Sequence, residues 1–590
     1  MNLAQSPAIR APSIGGIAAG PIPDMGPYSL HRLMRSPAEL MLPERLAAIQ
    51  PSRISASRAL MNRAIRERWT ITRTGFDIDE RGRGTAGYRI DAGGWRFSFP
   101  VFSFEPASQG RSGRIIGRSW DMMGALVEGD ISPADVETTR NELPKLYEGR
   151  ATPGTLIWCR SNRSQRLFDH TVQSLAAGHQ PDVGQLAQIC YLMRNTGLDG
   201  NGTFGTKTFL AFEKDHPLRW SLAAQMLCAY MMRVFAQDLV HHLARMASPQ
   251  AAALSPDLAR FLGVGNGSAL GLMLFVNNHP RLIDRWLGIR EEAIARAKAI
   301  VPGPDGAEVA TLLGLIDKAI RFRREDRVVY EAITPSDLIA DDLSLIRDQV
   351  DRLLAGIRRG EAVAPLPIAD LCAGLEGRVR AEALETLHSL LIELVADEAD
   401  ALVETLVLDE EMTGRPEMPV SRLREIIRSQ YAWAFGLDLE SDTARRYVWY
   451  KSVTAEEPRR GPREEVGDAV NLGLDLPRLI VRLDADLAAQ DPRQSTARFL
   501  LAHPQHRAIV TRVQALAGLP YHSPHADIMS EGFVPAHITR LLNVGLHGID
   551  KTRDFLNRNL RGVLFHGAPT PADLGAGADP SWFYPAEPRP

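Results

Sequence analysis

The stretch SLAAQMLCAYMMRVFAQDLVHHLARMA, residues 221–247, is apolar on most sides when it is drawn as a helix. A surface helix carries a single apolar stripe, so a helix that is apolar nearly all round is buried on several sides. The stretch also carries Arg233, Asp238 and two histidines, which are too many polar groups for a membrane span. It therefore predicts a buried helix at the centre of the protein.

The segments around this stretch divide into two kinds. After residue 162, apolar residues recur at spacings of three and four, which indicates helices at 281–301, 307–326 and from Pro335, and one long or kinked helix over 378–408. Between residues 69 and 106 the pattern changes to three runs rich in aromatic and β-branched residues, separated by Gly and Asp turns, with TLIWC (155–159) as a further strand. The fold class predicted from these patterns is mostly α and multi-helical, with a small N-terminal antiparallel β-sheet (α+β overall).

Composition shifts and breaks divide the chain into four predicted parts. Residues 1–28 are rich in proline and glycine and are predicted to be a flexible leader. Residues 29–160 form an N-terminal region with the sheet, 161–362 a central helical domain with two glycine-rich loops, and 363–590 a C-terminal helical domain. Breaks at 301–306, 362–367 and 456–465 are the candidate linkers.

Charge and cysteine usage limit the classes of function. The 590 residues carry a net charge of −3, so no global positive field favours nucleic acid or an anionic membrane. The four cysteines are widely spaced, which indicates neither a zinc ribbon nor a disulfide framework. The first residues lack the continuous apolar core of a secretory signal. We therefore expect a cytoplasmic protein with a small-molecule substrate, no nucleic acid and no membrane; a homo-oligomer is compatible with the sequence.

Two glycine-rich loops are the first candidates for a site. They are GLDGNGTFGTKTF (197–209) and GVGNGSALGL (263–272), and each contains Asn-Gly followed by a hydroxyl residue. A glycine-rich turn that leads into a helix presents unpaired N–H groups and a partial positive charge, which suits an anion. The residues expected to bind through these loops are Asn201, Gly202, Thr203, Asn266, Gly267 and Ser268. The structural alternative, two turns that let helices pack tightly, stays open.

Known phosphate-binding templates do not match these loops. Gly200 and Gly205 have the spacing of the nucleoside-triphosphate loop, but Thr206 separates them from Lys207-Thr208. The second loop has the pattern Gly-x-Gly-x-Gly, whereas the dinucleotide-binding fingerprint is Gly-x-Gly-x-x-Gly. Both loops are also predicted to follow helices, whereas both templates follow a strand.

The first loop also resembles the peptidoglycan-binding repeat, in which a GL-x-DG-x-FG-x-x-T loop joins two helices. Gly197, Leu198, Asp199, Gly200, Phe204, Gly205 and Thr208 carry the resemblance, with two residues inserted or shifted. It covers roughly 25 of the 590 residues and would imply a cell-wall ligand, which needs an export signal. Turn chemistry alone accounts for the same residues.

Several polar side chains accompany the loops. Arg194 precedes the first loop, and Asn277, Asn278 and His279 follow the second. In the predicted site the loop N–H groups hold the anion, Arg194 pairs with it and His279 is the acid or base. Glu456 is a second candidate acid or base. A helix starting at Ser268 would place the Asn-Asn-His end about 15 Å from the loop, so one ligand reaches both only if it is long or if other helices intervene.

The sequence thus favours a cytoplasmic metabolic enzyme that acts on an anionic small molecule, a carboxylate or phosphate, at glycine-rich helix starts. One alternative is a metal-dependent, di-iron-like helical oxygenase, for which Glu385, His388, Asp238 and His241 are the candidate ligands. Another is a non-catalytic helical scaffold or interaction protein. Cofactor, metal and reaction stay undetermined.

Overall fold

The computed structural model describes residues 30–40, 45, 48, 52–104, 121–142, 155–195, 212–220, 222–266, 280–325, 334–406, 414–436, 438, 472–521, 562–576 and 582–585. Eight strands form one sheet that curls into a half-barrel. The strands are β1 (Thr70–Ile78), β2 (Gly84–Ala92), β3 (Trp95–Ser103), β4 (Met122–Glu128), β5 (Thr155–Arg163), β6 (Tyr191–Asn195), β7 (Gly263–Asn266) and β8 (Gly562–Leu564).

Sheet order follows chain order, and neighbouring strands are antiparallel except for β6 and β7. The strands predicted at 69–106 and 155–159 are confirmed as β1, β2, β3 and β5. Aromatic and β-branched residues fill the buried face of β3, where Phe97, Phe99 and Val101 have no solvent exposure.

The predicted fold class is wrong about the size of the sheet and about which parts of the chain form it. The sheet is large and it is not confined to the N-terminal region, because β6, β7 and β8 come from residues 191–195, 263–266 and 562–564. These strands are only five, four and three residues long, too short for a period of two to stand out. Each is stabilised by pairing with a strand from a distant part of the chain, which no local pattern reports.

The helices described are α1 (Pro37–Leu40), α2 (Ala56–Arg66), α3 (Pro133–Glu142), α4 (Phe168–Ala176), α5 (Val183–Ile189), α6 (Ala223–Ala247), α7 (Pro256–Phe261), α8 (Pro280–Lys298), α9 (Ala307–Glu325), α10 (Ser336–Arg358), α11 (Pro367–Leu375), α12 (Ala381–Leu391), α13 (Ala396–Glu404), α14 (Val420–Gln430), α15 (Leu472–Ala488), α16 (Thr496–Ala502) and α17 (Arg507–Leu516). Short 3₁₀ turns span Ile392–Val395, Ala432–Phe435 and Pro504–His506. The predicted kink within 378–408 is confirmed, because the first of these turns separates α12 from α13.

Helix α6 is the buried central helix that its sequence predicts. It packs against β4, β5, β6 and β7 and also against α2 and α4. Its residues from Ala223 to Ala236 are buried, and they share one core with the inner face of the sheet. Among the described helices, none is both long enough and apolar enough to cross a membrane.

Two further cores lie in the helical part of the chain. Helices α9 to α12 enclose one core, to which Phe583 contributes. Helices α14 to α17 enclose another, centred on Leu423, Ile427, Leu483 and Phe499. The sheet with α6 forms the largest core and positions the candidate site described next.

Candidate functional site

The parallel pair β6–β7 places the strand that precedes the first glycine-rich segment beside the strand formed by residues 263–266 of the second. Asn195 is the register partner of Asn266, and Arg194 is the partner of Gly265. The chain connects the two strands through α6 and α7, as in a parallel crossover. The carboxyl ends of parallel strands are where α/β sheets bind ligands.

Local sequence explains why β6 begins where it does. Helix α5 ends at Ile189, and Cys190 adopts a left-handed conformation with φ of 60° that turns the chain into the strand. The Cys190 carbonyl then accepts a hydrogen bond from the N–H of Gly263, 2.9 Å away, and this bond starts the pairing with β7. The predicted helices before the two loops are confirmed as α5 and α7, but Tyr191–Asn195, predicted as helix, forms strand β6, and the first four residues of the second loop form strand β7. The spacing mismatches with the nucleotide templates remain.

Two glycines of the second loop have packing roles. A Cβ atom on Gly263 would lie 2.3 Å from the Leu564 carbonyl oxygen of β8, and one on Gly265 would lie 2.9 Å from the Tyr191 ring. Side chains at these positions would separate β7 from β8 or displace Tyr191. For Gly263 and Gly265 the structural alternative is thus the correct interpretation, and only the glycines that follow β7 are left for a ligand.

Arg194 lies on the face of the sheet that is opposite helix α6. Cys159 of β5 contacts Cys228 of α6, so the odd-numbered residues of β5 around it face that helix. Asn162 therefore faces the other side, and its register partner Arg194 shares that side. Arg160 lies two residues before Asn162 on the same side, which makes the two arginines diagonal neighbours about 7–8 Å apart.

Arg160 and Arg194 give this outer face positive charge, and both side chains are at least partly buried. Arg160 is 5% exposed, and its guanidinium carbon lies 4.8 Å from the Trp158 ring centroid. Burial lowers the pKa of Arg160 to about 10, so its charged form is poorly solvated. Arg194 is half-buried, and its Nε atom has no hydrogen-bond partner among the residues that the structure describes. An anion beside Arg194 would give this Nε atom an acceptor.

Arg160 and Asn162 are not part of the site predicted from the glycine-rich loops. The stretch RSNRSQRLFDH (160–170) predicts a helix start whose arginines pair with acids or with an anionic ligand, whereas in the structure Arg160 and Arg163 lie within β5 and α4 begins at Phe168. Trp158, Arg160 and Asn162 alternate with apolar or small residues, and this alternation was the sequence signal that could have indicated a strand with these three side chains on one face. The N–H of Asp121 donates to the Asn162 Oδ1 at 3.0 Å, which holds this end of β4 against β5.

Most of the other predicted site residues lie outside the described part of the chain. Of the predicted site residues, the structure describes Arg194 and the backbone of Asn266. The residues outside are Asn201, Gly202, Thr203, Gly267, Ser268, Asn277, Asn278, His279 and Glu456.

Three of the four residues suggested for a di-iron site have other partners, and the fourth, His388, lies 3.8 Å from Glu385. Glu385 accepts hydrogen bonds from Arg35 and Arg290, and Asp238 accepts one from the Tyr88 hydroxyl at 2.8 Å. The Nε2 atom of His241 accepts the N–H of Leu254 at 2.9 Å. Within the described ranges, no three His, Cys, Asp or Glu side chains cluster in a way that could hold a metal ion. These residues therefore do not fit the di-iron arrangement.

Comparisons with protein-family models, with curated proteins and with solved structures each found no match to this chain.

Proposed function

We propose that this protein is a cytoplasmic enzyme that binds an anionic small molecule, a carboxylate or a phosphate, on the outer face of β5 and β6 beside the carboxyl ends of β6 and β7. The observation that carries the proposal is the register of the parallel pair, in which Arg194 lies opposite Gly265 near the carboxyl ends of both strands. Arg160 and Asn162 extend the same face.

Physical chemistry supports an anion over a neutral ligand. Guanidinium groups bind carboxylate and phosphate oxygens with two parallel hydrogen bonds, and these are stronger where water is excluded. Arg160 is buried, and an anion would offset the desolvation that lowers its pKa. Glycine backbone near the arginines would let N–H groups approach the same oxygens without steric hindrance from side chains.

The catalytic residues and the cytoplasmic location are also proposed, and both are inferred from the sequence. His279 and Glu456 remain the candidate acid and base, and Asn277 and Asn278 the candidate polar contacts to the substrate. A reducing compartment agrees with the four cysteines, all of which are buried free thiols.

Ligand-induced stabilisation tests the binding site. We would measure the unfolding temperature of the full chain with inorganic phosphate, pyrophosphate, nucleoside monophosphates and di- and tricarboxylates, and determine the dissociation constant of any stabilising anion by calorimetry. Loss of a charged hydrogen-bond donor costs about 1.5–3 kcal/mol, so we expect Arg194→Ala to weaken binding at least tenfold and Arg194→Lys to recover only part of it. Arg81→Ala, at an exposed turn residue, is the control and should bind like the parent.

The proposal fails if no anion stabilises the chain, or if Arg194→Ala binds the stabilising anion as tightly as the parent. A monodisperse complex with another protein, without any small-molecule ligand, would instead favour the non-catalytic scaffold. If binding is confirmed, loss of turnover in His279→Gln with retained affinity would assign the acid–base role.

A further inference from the structure

The bundle of α14 to α17, which lies between β7 and β8 in the sequence, contains an open groove of about 700 Å³. Residues 414–416, the first turns of α16 and α17, and the 3₁₀ turn between these helices surround it. The lining residues are Gly414, Arg415, Pro416, Thr496, Ala497, Leu500, Pro504, Gln505, Arg507, Ala508, Thr511 and Gln514. This volume is in the range of small-molecule sites.

Hydrogen bonds hold the wall of the groove in place. The side-chain amide of Gln514 accepts the N–H of Arg415 at 2.6 Å and donates to the carbonyl oxygen of the same residue at 3.1 Å. On the other side, the N–H of Ala497 donates to the Pro416 carbonyl and the Thr496 hydroxyl donates to the Met418 carbonyl. Since Gln514 and Thr496 are each 1% exposed, the backbone of Arg415 is fixed before any ligand arrives.

The charge of the groove is of one sign. Arg415 and Arg507 are its two charged lining residues, and no carboxylate lines it. Neither guanidinium forms an ion pair with any part of the chain that the structure describes, whereas other exposed arginines of the same bundle do, such as Arg422 with Glu425 and Arg428 with Asp484. The floor consists of the apolar groups of Ala497, Leu500 and Ala508.

From this arrangement we propose a second ligand site, in which the groove binds an amphipathic organic anion, with its carboxylate, sulfonate or phosphate at Arg415 and Arg507 and its apolar body on Leu500 and Ala508. The two arginines supply charge-assisted hydrogen bonds, and the apolar floor removes the hydrocarbon part of the ligand from water. A purely inorganic anion would use only the first contribution and bind more weakly. This site is independent of the one proposed on the sheet and shares no residue with it.

The test uses the fluorescent anion 1-anilinonaphthalene-8-sulfonate with the full chain. We expect one saturable site on the folded protein and at least a tenfold weaker affinity in the double variant Arg415→Ala/Arg507→Ala. Octyl phosphate should displace the probe, whereas the neutral octyl glucoside should not. The control double variant Arg422→Ala/Arg493→Ala removes two exposed arginines from the same bundle and should keep the parent affinity within twofold.

Two substitutions of opposite charge at Ala508 separate electrostatic from steric effects. Ala508 is an exposed residue of α17, so both Ala508→Glu and Ala508→Lys should fold. We expect Glu to abolish probe binding and Lys to retain it. Unchanged affinity in the arginine double variant would overturn the site, and equal losses in the Glu and Lys variants would overturn its preference for anions. Arg194→Ala should leave this titration unchanged.

Discussion

His216 is a buried histidine enclosed by aromatic rings. It is 2% exposed, and its ring centroid lies 3.9 Å from that of Phe212 and 4.4 Å from that of Trp95. Its Nδ1 atom accepts the N–H of Leu218 at 3.1 Å, so the neutral tautomer is the one that fits. Burial, with a smaller effect from the charge of Arg63, lowers the pKa of His216 to about 4.

This pKa makes the protein less stable in mild acid. The unfolded chain binds the proton with a pKa of about 6.5, above the folded value, so stability through this group is complete above pH 6.5 and decreases as the pH falls towards 4. At pH 5 we expect a loss of about 2 kcal/mol relative to pH 7.5. Unfolding temperatures of the parent and His216→Gln across this range measure it.

The variant His216→Gln should lose stability at neutral pH but show a shallower decline between pH 7.5 and 5. His179→Gln, at an exposed histidine, is the control and should decline like the parent. Parallel curves for His216→Gln and the parent would contradict the prediction.

Arg233 is a buried arginine that donates hydrogen bonds to five carbonyl groups. Its Nε, Nη1 and Nη2 atoms donate to the oxygens of Leu262, Pro569, Ala259, Arg260 and Ala568 at 2.6–3.1 Å. These carbonyls belong to the end of α7 and to the segment after β8. Arg233 therefore connects the central helix α6 to the C-terminal part of the chain.

Lysine cannot replace this arginine, because one ammonium group cannot reach five carbonyls that a planar guanidinium contacts. We expect Arg233→Lys to lower the free energy of unfolding by about 3 kcal/mol or more, since several buried carbonyls lose their donors. Arg245→Lys, at an exposed residue in the last turn of the same helix, should change it by less than about 0.5 kcal/mol. Denaturant unfolding followed by tryptophan fluorescence compares the two; equal effects would argue against this role.

At the scale of elements, β7 depends on the close approach of backbone that Gly263 permits. The Cβ of an alanine there would lie 2.3 Å from the Leu564 oxygen and 2.6 Å from the Val563 side chain. We expect Gly263→Ala to destabilise the protein by about 1–3 kcal/mol, in the range of overpacked interiors.

Gly314→Ala is the matched control for Gly263→Ala. It lies in the exposed part of α9, with no atom within 4 Å of an added Cβ. Alanine is a better helix former than glycine, so Gly314→Ala should stabilise by up to about 1 kcal/mol. Thermal unfolding of both variants measures the difference, and a neutral Gly263→Ala would show that β8 is not tightly paired.

The helix and strand patterns show how much of these elements can be predicted from sequence. Repeated spacings of three and four identified α6, α8, α9 and α10, and alternation identified β1 to β3. Strand β7 was taken as a turn after a helix, because Gly-Val-Gly-Asn has little strand propensity and its pairing partners are Tyr191 to Asn195 and Gly562 to Leu564. The candidate site is built on these strands, so Arg194 was predicted and Arg160 was missed.

At the scale of the whole molecule, a buried ion-pair network joins the N-terminal residues to the helices. Arg35 donates to Glu291 and Glu385, and Arg290 donates to the same two carboxylates; both acids and Arg290 have no solvent exposure. Burial alone would raise the pKa of Glu385, but the charges of Arg35 and Arg290 hold it well below its ordinary value. Arg45 also donates to Glu385, at 3.3 Å, and pairs with Glu376 at 2.8 Å, so each of the three arginines in this network has a carboxylate partner.

Removing one charge from this network should be costly. Glu385→Gln leaves buried arginines without their counter-charge, and we expect a loss of about 3–5 kcal/mol. Glu376→Gln removes an exposed carboxylate that pairs with Arg45, and should cost about 1 kcal/mol or less. Unfolding temperature and limited proteolysis of the N-terminal residues would measure both; a mild Glu385→Gln would mean that the N-terminal region is not held by this network.

The sequence by itself determined which segments form the long helices and the early strands, and that the central buried helix lies within 221–247. That Arg194 belongs to an anion site stays a prediction. These conclusions follow from local periodicity and from side-chain chemistry, which any short window of sequence contains. Tertiary structure decided that β6, β7 and β8 complete an eight-stranded sheet, that Gly263 and Gly265 serve packing, and that Arg160 lies beside Arg194. Strand pairing joins residues hundreds of positions apart, and its free energy comes from partners that no local pattern specifies.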